Sequence, residues 1–215
     1  MQTFTWILLG IDGVVIVTVL FFVLFCRYHL YSFLALQQFI DDADILVVEG
    51  WLEERNFRAV IAEFEQGSYQ YLVTVGGPLR VGSCVSDHKT IAELAATTLV
   101  TMGFDAEKLI ALPSPFTPQN RTATTAITFR DWLLANELHI QGVNIFSNHV
   151  HARRTHFFYR RYLSPDIRVG VMTSEPGDFD PNAWWTNSYG AKVVIPEFIA
   201  YCHARYTTLV ADNKT

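Results

Sequence analysis

Three guanidiniums and an imidazole stand out as groups able to do chemistry: Arg121, Arg153, Arg154 and His151. Arginine forks grip phosphate or carboxylate with paired hydrogen bonds. An imidazole moves protons near neutral pH. Together these residue types point to an anionic ligand with His151 as a general acid or base. The start of the helix expected after His151 adds its positive dipole end. Arg153 and Arg154 are about 100° apart on a helix, so only one can face such a ligand. The other must meet solvent or a carboxylate.

Other motifs are weaker. Gly76-Gly77 before Pro78 allows close approach of backbone N–H groups to a phosphate, and equally a plain tight turn. His149-x-His151 lacks a third metal ligand fixed by spacing, so no metal site is expected. Asp178-x-Asp180 lacks the rest of a calcium loop and reads as a solvated turn. There is no G-x-G-x-x-G, no G-x-x-x-x-G-K-[ST] and no G-x-S-x-G. Dinucleotide binding, P-loop chemistry and a hydrolase elbow therefore lack their signatures. Asn120-Arg121-Thr122 is formally a glycosylation sequon. Trp184-Trp185 suits a core, a lid over a pocket or a membrane-surface contact. Cys26, Cys84 and Cys202 lie far apart, without metal-type spacing.

These residues need a frame. From residue 44 onward, short β-branched runs alternate with helical patterns. Strands are expected at 44–48, 71–75, 109–112, 143–147 and 167–172. Helices are expected at 53–66, from a cap at Asp87 to 102, at 122–137, at 151–163 and from Pro196 to 209. A polar, aromatic loop covers 173–190. The alternation predicts an α/β fold, a Rossmann-like three-layer αβα with a mainly parallel five-stranded sheet. Ligands of such sheets sit at the carboxyl ends of the strands. Those ends carry Glu49, Gly50 and Trp51; Gly76 and Gly77; Ser114, Arg121 and Thr122; His149, His151, Arg153 and Arg154; then Glu175, Asp178 and Asp180.

Residues 6–26 form an apolar run interrupted only by Asp12. Its length matches the roughly 20 residues a transmembrane helix needs. Trp6 and Tyr28 suit the two interfaces. Asp12 either reaches headgroups or meets a partner helix. The first five residues lack Lys and Arg and no A-x-A site follows, so an uncleaved single-pass anchor is expected, with helix continuing to residue 40. The anchor and connecting helix then occupy 1–40, and the α/β domain 41–215. The single positive charge after the span, Arg27, places the domain in the cytoplasm. Across all 215 residues, 16 Lys and Arg stand against 21 Asp and Glu, a net charge of −5, which disfavours nucleic acid as a partner. With 50% hydrophobic and 17% charged residues, the composition excludes disorder.

The stretches ADILVVEGW (43–51), VTVGGP (73–78), NRTATTA (120–126), SNHVHARR (147–154) and VIPE (194–197) resemble the SanA/ElyC/YdcF-type family in order and spacing. The resemblance covers nearly the whole chain after residue 42. It implies a Rossmann-like domain behind an amino-terminal anchor in the bacterial inner membrane, with the domain on the periplasmic side, against the count from Arg27. It implies a role in cell-envelope metabolism, with Glu49, Gly76, Gly77, Thr122, His151, Arg154 and Glu197 at the site. On that basis His151 and Glu49 are the catalytic pair. The expected ligand-binding set joins the carried-over Gly76, Gly77, Thr122, Arg154 and Glu197 with Arg121 and Arg153 from the strand-end reading.

The leading expectation is a membrane-anchored protein that binds an anionic small molecule or lipid-linked phosphate. A second is an accessory subunit docking membrane-protein partners through residues 6–26. A third is an S-adenosylmethionine or nucleotide binder. No cofactor is named by the sequence.

Overall fold

Strands covered on both faces read as unbroken apolar runs, because neither side can face water. The run Ile45–Glu49 (β1) is buried at every position. A computed structural model of the chain describes residues 2–82, 84–174 and 176–213, with side chains of the first helix described from Gly13 onward. In it β1 is joined by Tyr71–Gly76 (β2), Leu109–Pro113 (β3), Gly142–Ser147 (β4) and Arg168–Thr173 (β5). All pairings are parallel, in the order β3-β2-β1-β4-β5. The expected α/β architecture is therefore present.

Alternate residues of β1 feed two cores. Ile45 and Val47 pack with Phe129, Phe158 and Tyr159 on one face of the sheet. Leu46 and Val48 pack with Phe57, Val60 and Leu99 on the other. The first face is covered by Arg121–Ala135 (α4), Ala152–Tyr162 (α5) and part of Ser188–Asp212 (α6). The second is covered by Glu54–Gln66 (α2) and Ile91–Thr101 (α3). The chain steps from β1 outward to β3, then crosses to β4 beside β1. The order thus reverses between β1 and β4, where such sheets open a crevice.

Several boundaries differ from the expectation. The cap of α3 is Thr90, not Asp87. Its hydroxyl accepts from Glu93 N while the Glu93 carboxylate accepts from Thr90 N, a reciprocal capping box. Thr90→Ala is expected to lower stability by about 1 kcal/mol. A urea midpoint unchanged in Thr90→Ala would show that the box contributes nothing.

α6 begins at Ser188, well before Pro196, because Asn187 caps it by accepting from Tyr189 N and Gly190 N. Pro196 lies inside the helix, which runs on to Asp212, and its ring removes a backbone donor there. The helix after His151 also begins differently: His149–His151 forms a 3-10 turn and α5 starts at Ala152.

The amino-terminal helix, Gln2–Leu34 (α1), stops short of residue 40. Gln38 instead pairs with Val171 through two backbone hydrogen bonds, covering the edge of β5. Asn144 of β4 holds Ile40 N–H and C=O with its amide and also donates to Tyr69 Oη. The span Gly13–Leu34 is apolar and long enough to cross a membrane. Its last turns dock: Leu30 and Leu34 are buried with Val150, Phe179, Trp184 and Val194. The expectations for Trp6 and Asp12 fall on side chains outside the described residues, and so does Glu175.

The direction of α1 follows from its neighbours. Phe157 of α5 meets Tyr201 of α6, and Arg161 pairs with Asp212 further along both helices, so the two run side by side. Leu30 packs near Val194 and Phe33 meets Tyr201, so α1 runs the same way. All three oppose the strands. α1 therefore enters the domain at the carboxyl edge of the sheet, where Gln37 hydrogen-bonds Thr173.

Candidate functional site

Glu49 ends β1 at the switch in strand order, and only 1% of it is exposed. Its carboxylate accepts from Ser147 Oγ at the end of β4 and from Thr155 Oγ1 on α5 at 2.8 Å. His151 Nε2 stands 3.6 Å from the same carboxylate. A second carboxylate, Glu197 of α6, lies 3.2 Å from His151 Nδ1. The ring is thus held between two acids, with Trp51 edge-on to it at 5.8 Å.

Arg154, one turn after His151, closes the cluster. Its guanidinium grips Glu197 in a fork, Nε to Oε1 at 2.6 Å and Nη2 to Oε2 at 2.9 Å. Nη1 donates to Thr122 Oγ1 at 3.1 Å. Thr122 Oγ1 is 3.3 Å from His151 Nε2. Burial pushes the Glu197 carboxyl up, but the hydrogen bonds and charges of His151 and Arg154 outweigh it and hold it down at about 2.

Donor rules fix how a proton can sit here. Arg154 Nη2 is 2.9 Å from His151 Nδ1, and arginine only donates. With the proton on Nε2, Nδ1 accepts from Arg154 while Nε2–H points at Thr122 and Glu49. With the proton on Nδ1, that N–H reaches Glu197 but also faces Arg154 Nη2–H, a second donor, at 2.9 Å. Arg154 therefore favours the Nε2–H tautomer, which turns the ring's proton toward Thr122 and the cleft.

Arg121 opens α4 and is exposed, with no ion pair among the described residues. The cap residue Asn120 has left-handed backbone, φ 54°, and makes no side-chain cap bond. The first amides of α4 therefore lack a side-chain acceptor. A cleft of about 990 Å³ opens over Thr122, His151 and Arg154, with Ile199, Ala200 and His203 of α6 as its far wall. A smaller cavity of about 150 Å³, lined by Gly77, Arg80 and Ser114, adjoins it. Trp51, Ile91 and Arg121 border both.

The structure brings Glu49, Thr122, His151, Arg154 and Glu197 into one cluster, with Arg121 and Gly77 on its rim. Arg153 is elsewhere: it donates to the Phe33 carbonyl and lies over the Phe33 ring at 4.0 Å, tying α5 to the end of α1. Gly76 serves packing. A Cβ there would come within 2.9 Å of Ile91 Cβ, so α3 sits directly on it. His149 and His151 diverge. His149 is buried against Phe179, and burial holds its imidazole down at about 4. Asp178 pairs with Arg55, and Asp180 accepts from Asn182 N. Trp184 donates to the Arg27 carbonyl at 3.2 Å and packs on α1. All three cysteines are free.

Sequence reasoning passed over Ser147, Thr155 and Arg80. A signal exists for Thr155, four residues after His151 and so on the same side of the helical stretch, whereas Ser147 ends β4 and only its strand-end position marks it. No family model matches this chain, and no curated protein matches it either.

Proposed function

We propose that this chain is a membrane-anchored protein whose α/β domain binds an anionic, phosphate-bearing ligand, with His151 placed to pass a proton to or from it. One observation carries the reading. The uncapped amino terminus of α4, with its unpaired Arg121, shares a cleft with an imidazole held between two carboxylates. Backbone N–H groups at a helix start and a free guanidinium form a ready anion site. Arg154 contributes less charge to the ligand than its type suggests, because Glu197 already neutralises it. Its role is to fix Thr122 and His151 in place.

The cleft walls extend the reading. Ile199, Ala200 and Phe158 give it an apolar side beside the polar floor. A lipid-linked phosphate fits both halves. This agrees with what the SanA/ElyC/YdcF resemblance implies, an envelope role at the bacterial inner membrane.

The test is calorimetric titration of the detergent-purified full chain with inorganic phosphate and with a short prenyl phosphate. The prenyl phosphate is expected to bind more tightly, and Arg121→Ala to weaken both by about tenfold or more. Equal affinity in wild type and Arg121→Ala, or no saturable binding of either, would overturn the reading.

A further inference from the structure

We propose that the carboxyl edge of the sheet is seated against the bilayer itself, with the tips of the β2–α3 and β3–α4 connections in the headgroup layer beside α1. The inference rests on α1 as a membrane span and does not depend on what the cleft binds.

Three observations meet here. First, α1 leaves the domain from the carboxyl edge, opposite in direction to the strands, so its exposed part rises away from that edge. Val14 to Phe25 carries large apolar side chains that are about half exposed or more, from Val14 at 67% to Phe25 at 53%.

Second, the exposed run ends in an aromatic and cationic collar. The Arg27 guanidinium lies 4.4 Å from the Trp185 ring centroid and 5.4 Å from that of Tyr28. Such groups collect where hydrocarbon gives way to headgroups. From Arg27 down to Leu34, which is buried at the domain, α1 descends about 10 Å. The strand ends therefore lie little more than a headgroup layer below the collar.

Third, two connections on the same edge carry large apolar side chains that stand mostly exposed. Val81 is 88% exposed, Val85 91% and Phe116 71%. The β2–α3 connection leaves the edge as a paired excursion, Leu79 N bonded to Lys89 O. The Pro78–Thr90 bridge and this bond make a short paired stem, and the chain bends beyond it at residues 80–82. Arg80 and Arg121 stand exposed beside these tips, with Asp87 the acid on the β2–α3 connection. Apolar tips beside cations fit a surface of anionic phospholipid.

The experiment uses the full chain in vesicles of phosphatidylcholine and phosphatidylglycerol carrying nitroxide-labelled acyl chains. An environment-sensitive fluorophore is placed on native Cys84 in a C26A/C202A background. It is placed in turn at Phe116→Cys, Phe22→Cys and His139→Cys in a background also lacking Cys84. His139 lies between α4 and β4, at the opposite edge of the sheet. Labels at 84, 116 and 22 are expected to lose fluorescence to the nitroxide, and the label at 139 to keep it. Labels at 84 and 116 that behave like 139, while 22 is quenched, overturn the proposal. So does a label at 22 that escapes quenching, since α1 is then not in the bilayer. Tips shielded from aqueous iodide yet untouched by the nitroxide would assign the surface to a protein contact and also overturn it. These vesicles carry no cleft ligand, so a failure of ligand binding in the calorimetric titration is scored separately from the quenching readouts.

Discussion

Glu49→Ala is expected to lower the unfolding free energy by about 2 to 4 kcal/mol, the cost of leaving two buried hydroxyls without their acceptor and a cavity at the strand end. The carboxylate is 1% exposed and is the acceptor for two buried hydroxyls, Ser147 and Thr155. Its loss leaves both without that acceptor and removes one of the two acids that flank His151. Glu49→Gln separates charge from hydrogen bonding. Its amide oxygen still accepts from one hydroxyl, and the other hydroxyl can reverse and accept from the amide NH₂. The Gln variant is therefore expected to lose only about 1 kcal/mol. Urea unfolding of the detergent-solubilised chain, followed by tryptophan fluorescence, measures both. Equal losses in the two variants would mean that charge, not hydrogen bonding, holds the strand end. No loss in Glu49→Ala would remove Glu49 from the framework of the site.

The layout of strands was legible because β-branched runs between helical patterns have few other uses in a chain of this length. β1 through β5 fall within a residue or so of their expected places. What failed was punctuation. Asp87 looked like a cap by type alone, whereas Thr90 with Glu93 makes the reciprocal pair that defines one. Pro196 looked like a helix start because proline favours the first turn. Tertiary packing overrode that rule: α6 gains a docking face for α1 by beginning eight residues earlier, at Ser188. The shift matters for the site, since it sets Glu197 in mid-helix facing His151.

The site was half legible. The strand-end rule gathers Glu49, Thr122, His151 and Arg154 correctly because topology, not side-chain detail, brings them together. It could not divide labour between adjacent arginines. Helix geometry says that Arg153 and Arg154 diverge, but which one turns inward depends on where α1 docks, and α1 lies more than a hundred residues away. Nor could a glycine pair reveal which member is needed for packing. Gly76 yields its Cβ space to Ile91, while a Cβ on Gly77 would meet nothing nearer than 3.6 Å.

Acid is expected to destabilise the domain in two stages, each traceable to one buried group. The first belongs to His149, held down from 6.5 to about 4 chiefly by burial. Between those values the unfolded chain binds a proton that the folded one does not, so stability is complete above about pH 6.5 and declines toward pH 4, by roughly 3 kcal/mol. The second belongs to Glu197, which His151 and Arg154 hold at about 2 against an ordinary 4.5, despite burial. Here too the unfolded chain takes the proton first. His151 and Arg154 together therefore stabilise the fold above about pH 4.5, and that contribution, again roughly 3 kcal/mol, drains away toward pH 2. Unfolding midpoints measured across pH 2 to 8 separate the stages. His149→Gln is expected to flatten the upper one and leave the lower. Glu197→Gln is expected to flatten the lower one, at the cost of stability near neutrality, because Arg154 then stays buried without its carboxylate. A lower stage that persists in Glu197→Gln would mean that other carboxylates govern acid unfolding, and that the contacts of Glu197 with His151 and Arg154 contribute little to holding α5 and α6 together.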